Sequence, residues 1–81
     1  VFGATNGTQS KAEQSFRHCI QIFEECGNRH ERARTLAELA FHLVERGDRE
    51  AAKPLLSEAL QVMESLKLPE VPVVRDTLAQ L

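Results

Sequence analysis

Eighty-one residues hold at most one small domain, in a size range where a single core supplies only about 3–5 kcal/mol of net stability. Ten Lys plus Arg stand against twelve Asp plus Glu, a net charge of −2, which gives no electrostatic reason to seek nucleic acid or an anionic membrane surface. Trp and Tyr are absent, leaving Phe2, Phe16, Phe23 and Phe41, so base-stacking platforms are missing as well.

Residues 1–9 contain Gly3, Asn6, Gly7 and Thr8 with little apolar periodicity, a composition that favours turns over a packed face and predicts a flexible N-terminal segment. Ser10 followed by Glu13 is a capping-box pattern and marks the start of a first helix. Phe16, Cys19, Ile20 and Phe23 then recur at helical spacing, and Gly27 follows as a left-handed terminator.

Asn28 with Glu31 repeats the capping pattern, and Leu36, Leu39, Ala40 and Leu43 form the stripe of a second helix that Gly47 stops. Asp48 caps a third helix with the face Ala52, Leu55, Leu56, Ala59, Leu60 and Met63, fading at Lys67 and Leu68 before Pro69. Pro54 lies inside it and removes the bond to the Glu50 carbonyl, which predicts a kink or a late helix start. Pro72 suits the first turn of a fourth helix carrying Val73, Val74 and Leu78, and that apolar pattern is still running at Leu81. With no Met at Val1, both ends are those expected of a fragment of a longer protein. No segment alternates apolar and polar residues for long, so the expected class is all-α.

The helices repeat. Ala12, Phe16, Cys19, Ile20 and Phe23 fall on Ala52, Leu56, Ala59, Leu60 and Met63 at an offset of forty residues. Thr35-Leu36-Ala37-Glu38-Leu39 falls on Thr77-Leu78-Ala79-Gln80-Leu81 at forty-two. Self-similarity at this period is the mark of stacked helix pairs, each burying its apolar face only against neighbours. The expected architecture is a run of antiparallel helix-turn-helix repeats, three helices plus a clipped fourth, over 10–81. It divides into a half repeat at 10–27, a full repeat at 28–68 and the start of another at 69–81.

From Ser10 to Leu81 these residues resemble the tetratricopeptide repeat, particularly its longer variants of about forty to forty-two residues, as in kinesin-light-chain-like and bacterial signalling-protein arrays. Leu36, Leu39, Ala40 and Leu43 look like the large, large, small, large positions of the family's first helix. Gly47-Asp48 resembles its interhelical turn, and Ala52, Leu56, Ala59 and Leu60 resemble its second helix. Ala52-Lys53-Pro54-Leu55-Leu56 is similar to wording common in kinesin-light-chain-like repeats. The usual aromatics are replaced by Leu36 and Leu43, and the terminal proline arrives late, as Pro69.

The resemblance implies an α-solenoid fragment that acts as a protein-protein interaction scaffold, taking a peptide or protein surface on its concave face. It also implies which stripe faces that groove: Arg34, Ala37, Glu38, Phe41 and Glu45, beside the packing stripe on the second helix. Phe41 flanked by Glu38 and Glu45 would suit an apolar anchor residue with basic neighbours; equally, Phe41 would serve simply to cover the next repeat. Family members that clamp acidic chaperone C-termini use Lys and Asn where Ala37 and Phe41 stand, so that ligand is not expected. The alternative function is a structural or regulatory spacer within a larger multidomain signalling protein, such as an ATPase, a cyclase or a transcription regulator.

Chemistry finds little support. His18, Cys19, Cys26 and His30 cluster in sequence, but neighbouring His18 and Cys19 diverge by roughly 100° on a helix, so no metal is expected and Cys19 reads as a small core residue. Cys19 and Cys26 are separated by roughly 10 Å along one helix and cannot pair. Cys26 near a helix C-terminus is not activated as a nucleophile, and the Glu24-Glu25, Glu45 and Glu64 carboxylates read as solvated surface. Arg46-Gly47-Asp48 spells an integrin-recognition tripeptide, but Gly47 and Asp48 already serve as stop and cap. Asn6-Gly7-Thr8 is a glycosylation acceptor pattern that matters only in a secreted chain. A DNA-reading helix-turn-helix would need more cation than Arg49 and Lys53 provide. No apolar run reaches the roughly 20 residues of a membrane span, and no signal pattern is present. The expected protein is therefore not an enzyme, carries no cofactor, is cytoplasmic, and binds protein rather than nucleic acid or membrane. Fewer than three repeat units predict self-association through exposed terminal helices.

Overall fold

The joints between helices organise this chain. In the computed structural model, which describes residues 11–81, four helices follow one another: α1 (Lys11–Cys26), α2 (Arg29–Glu45), α3 (Arg49–Leu66) and α4 (Val71–Gln80). No strand occurs among the described residues. The expected segment 1–9 and the Ser10 cap lie outside them.

Gly27-Asn28 ends α1 and starts α2 with the same two residues. Gly27 takes φ +73°, its N–H donates to the Glu24 carbonyl at 3.2 Å and the Asn28 N–H donates to that of Phe23 at 2.8 Å. These are the two bonds of a Schellman stop. The Asn28 side-chain oxygen then accepts from the Glu31 N–H at 3.3 Å, an N-cap contributing about 1 kcal/mol. The reciprocal arm of the expected capping box is not used: the Asn28 N–H is already bonded to Phe23, and the Glu31 carboxylate lies 3.8 Å from Arg34 instead. Twenty residues on, Gly47-Asp48 repeats the device. Gly47 has φ +89°, Gly47 and Asp48 donate to Val44 and Leu43 at 2.9 and 2.8 Å, and Asp48 caps Ala51 at 3.4 Å.

A third joint follows after another twenty residues, with Lys67 and Leu68 donating to Glu64 and Met63 at 3.1 and 3.0 Å. Here the left-handed position is held by Lys67, at φ +56°. Leu68 cannot cap, so Pro69 and Glu70 intervene before α4, which starts without a side-chain cap and with Pro72 in its first turn. These residues account for the forty-two residue offset between α2 and α4.

Connections this short leave no room for a crossover, so the neighbouring helices that pack together run antiparallel. Each helix packs on the one before it in sequence, most extensively α2 on α3, giving Cα extents of 45 × 32 × 15 Å. The core is Ala33, Leu36, Leu39, Ala40 and Leu43 of α2 with Ala52, Leu56, Ala59 and Met63 of α3, closed by Val74 of α4. Leu39 and Leu56 are completely buried, each such side chain contributing about 1.5–3 kcal/mol. The alanines let α2 and α3 approach closely.

Two expectations change. α3 begins on time at Arg49 and runs through Pro54 without interruption, because the proline sits exposed near the helix start, where the Glu50 carbonyl is also on an exposed residue. Cys19 is exposed rather than core: among the described helices α2 is the main packing neighbour of α1, and Cys19 lies at the edge of the stripe it covers. Phe16, Ile20 and Phe23 are half-buried.

Ion pairs cross the packed helices. Arg46 at the end of α2 reaches Glu13 in the first turn of α1, Nη1 to Oε1, at 2.6 Å. Arg32 meets Glu58 of α3 at 2.8 Å, and Arg75 of α4 meets Glu64 of α3 at 2.5 Å.

Candidate functional site: a groove between α2 and α4

The stretch of α2 that combines apolar surface with solvent access faces α4. A groove of ≈ 210 Å³ runs there, lined by Arg34, Ala37, Glu38 and Phe41 of α2, Met63 of α3, Glu70, and Val73 and Val74 of α4. Helical steps of three and four bring the α2 residues onto one stripe, and the Lys67 turn returns the chain so that α4 forms the opposite wall.

The floor is apolar. Ala37, Met63 and Val74 are buried beneath it. Phe41 is half-buried on one wall and Val73, 62% exposed, stands among the lining residues of the other. An exposed valine beside a half-covered phenylalanine leaves apolar surface that a further side chain could bury.

The rim is charged. Arg34 Nε lies 3.3 Å from Glu70 Oε2, a pair that ties α2 to the residue preceding α4. The other Glu70 oxygen, Oε1, is buried and has no hydrogen-bond partner among the described residues. Glu38 is exposed, and no ion pair holds it among the described residues. Carboxylates therefore dominate this edge, with one bare acceptor already withdrawn from water.

Four of the five residues of the expected stripe, Arg34, Ala37, Glu38 and Phe41, line this groove. Glu45 does not: it is exposed in the last turn of α2, more than a full turn beyond Phe41. Ala37 is floor rather than contact surface. The far wall of Val73, Val74 and Glu70 is not predicted from sequence, since nothing in periodicity says which helix stands opposite α2. The one available signal is the repeat, which places α4 in the same role as α2.

Elsewhere the surface offers less. Among the described residues no group of three or more His, Cys, Asp or Glu could hold a metal ion, and no helix is long and apolar enough to cross a membrane. Every residue of Arg46-Gly47-Asp48 is engaged in the fold itself. Arg46 pairs with Glu13, Gly47 supplies the left-handed turn and Asp48 caps α3. The His42 ring lies tilted by 55° against Phe16, with the centroids 6.1 Å apart. Set against known proteins, the chain matches no family model, no curated protein and no solved structure.

Proposed function

We propose that this chain is a tetratricopeptide-like interaction module, not an enzyme, working as a cytoplasmic protein-binding scaffold. The α2–α4 groove receives one apolar side chain of a partner peptide between Phe41 and Val73. The observation that carries this reading is the chemistry of the groove: an apolar floor and walls under a rim of Glu38 and Glu70. A buried acceptor left without a donor costs about 1–3 kcal/mol, so Glu70 Oε1 favours a ligand bringing a Lys, Arg or backbone N–H to that edge. An apolar anchor in a pocket with charge matching around it is the usual distribution of energy in a peptide site. The acidic rim opposes acidic C-terminal peptides.

Selection of displayed random peptides on the 81-residue chain, followed by anisotropy titration of the winners, tests this. Enrichment of one large apolar residue flanked by Lys or Arg is expected, with at least tenfold weaker binding to the Phe41→Ala variant. Winners without that pattern, or binding indifferent to Phe41→Ala, would reject the groove.

The spacer reading draws on the same residue. Phe41 of α2 lines the groove facing α4, and in this second reading it packs one helix pair against the next within a larger signalling protein. In that case Phe41→Ala lowers stability and selection yields no peptide.

A further inference from the structure

Charge and apolar surface are separated along the groove between α2 and α4. At one end Arg34 Nε meets Glu70 Oε2 at 3.3 Å, and Glu38 follows four residues after Arg34 on the same face of α2. Arg34 is the one cation among the lining residues. It engages Oε2, while Glu70 Oε1 is buried with no hydrogen-bond partner among the described residues. Oε1 is therefore the atom left for a donor brought by a ligand.

The distance from that atom to the apolar seat follows from the helices. α2 and α4 each run antiparallel to α3, so they are parallel to one another and positions along them can be compared. Counted from the Arg34–Glu70 pair, Ala37 stands three residues along α2 and Val73 three residues along α4, each roughly 4.5 Å away at 1.5 Å per residue. Phe41 stands seven residues along α2, roughly 10 Å, but a long helical side chain covers the turn before its own Cα, which brings the ring back by up to about 5 Å. The three side chains that bound the seat thus converge roughly 5–7 Å from the pair.

We infer that the ligand is an extended segment carrying an apolar residue and a Lys or Arg two positions apart. This rests on the groove reading above and specifies the ligand that reading requires. In an extended chain, residues i and i+2 point to the same side and lie roughly 6.6 Å apart, while i+1 turns away. The apolar side chain fills the seat between Phe41 and Val73, and the cation two residues off meets Glu70 Oε1, with Glu38 adding its charge. A helix spans the same distance with a spacing of four. It keeps its own N–H groups bonded, however, and holds its axis roughly 5 Å or more above the surface it lies on, whereas an extended backbone lies closer and carries free donors.

The test uses the 81-residue chain, nitrogen-15 labelled, and nonapeptides of Ser with Leu at the centre and one Lys placed one, two, three or four residues to either side. Amide shifts of Phe41 and Val73 report occupation of the seat, and their titration gives relative affinities. A Lys two residues from Leu should bind at least fivefold more tightly than a Lys one or three residues away, and the side on which it does so gives the direction of the bound segment. Glu70→Gln should flatten this dependence to less than twofold while the Phe41 and Val73 shifts persist. Glu38→Gln, at an exposed position, should reduce it in the same direction and serves should Glu70→Gln disturb the start of α4. Peptides that occupy the seat with no dependence on Lys position, or best with a spacing of four, overturn the extended two-residue register and leave the groove reading standing. So does a dependence unchanged in both variants. Peptides that move neither Phe41 nor Val73 overturn the groove reading and this inference with it.

Discussion

Arg46 at the C-terminus of α2 holds the nearly buried Glu13 carboxylate of α1 at 2.6 Å, while Arg17 approaches the other oxygen at 3.3 Å from the same helix. The contact spans thirty-three residues of sequence and helps to fix how α1 lies on α2, its main packing neighbour among the described helices. Glu13 is 7% exposed, so removing its cross-helix partner leaves a poorly solvated charge.

Arg46→Ala is expected to destabilise the chain by about 1–2 kcal/mol, below the 3–5 kcal/mol range of a fully buried pair because Arg17 remains and the Arg46 side chain is itself partly exposed. Glu13→Met, which removes the charge and keeps the volume, should cost less than Arg46→Ala. Urea denaturation of both variants checks the order. If Glu13→Met is the more damaging, the ion pair is a net source of stability and its Coulombic gain exceeds the desolvation penalty.

The third joint predicts a stabilising substitution. Lys67 occupies the left-handed position that Gly27 and Gly47 fill in the first two joints, and a side chain there costs roughly 1–2 kcal/mol, offset by the lower entropy of a non-glycine residue in the unfolded chain. Lys67→Gly should therefore raise stability by about 0.5–1 kcal/mol, visible as a Tm increase of a few degrees. Gly47→Ala should do the reverse by about 1 kcal/mol. A Cβ at Gly47 meets nothing within 4 Å, so that loss measures backbone conformation alone. Equal melting temperatures for Lys67→Gly and the parent would show that the left-handed turn is not maintained in solution.

Exposure of both cysteines makes a chemical prediction. Cys19 and Cys26 should both react with a thiol reagent such as Ellman's at similar rates without denaturant, and adding urea should accelerate neither by more than a few-fold. A single fast thiol, with Cys19 protected until the chain unfolds, would restore the core reading of that residue.

Cys19 shows where the sequence is legible and where it is not. Helix boundaries are readable because they are written in local chemistry: Gly27-Asn28 and Gly47-Asp48 specify stop and cap within two residues, and the stripes of α2 and α3 follow the helical period. Burial at Cys19 depends instead on whether a helix stands outside α1, a tertiary fact with no local signature. The Lys67 turn is hidden because its residue type argues against its conformation, and only its twenty-residue spacing from Gly47 marks it. Glu13 with Arg46 is hidden for the opposite reason, since both look like ordinary surface charges until α1 and α2 are laid antiparallel. The α2 wall of the groove follows from helical spacing and family resemblance, the α4 wall from neither.

The groove rim offers a test that separates recognition from stability. Arg34 and Glu70 are about half and one-third exposed, and exposed pairs of this kind contribute about 0–1 kcal/mol. Arg34→Ala should therefore shift the urea midpoint very little, while releasing Glu70 Oε2 to a basic ligand. Glu38→Lys should be equally neutral for folding but place a cation where the partner's own cation is expected. For a peptide selected on the parent chain, Arg34→Ala should bind as well or better and Glu38→Lys at least tenfold worse, with the difference shrinking as salt screens the rim. A loss in Arg34→Ala together with a gain in Glu38→Lys would mean that the ligand reads Arg34 rather than the carboxylates, and the preferred peptide would then be acidic.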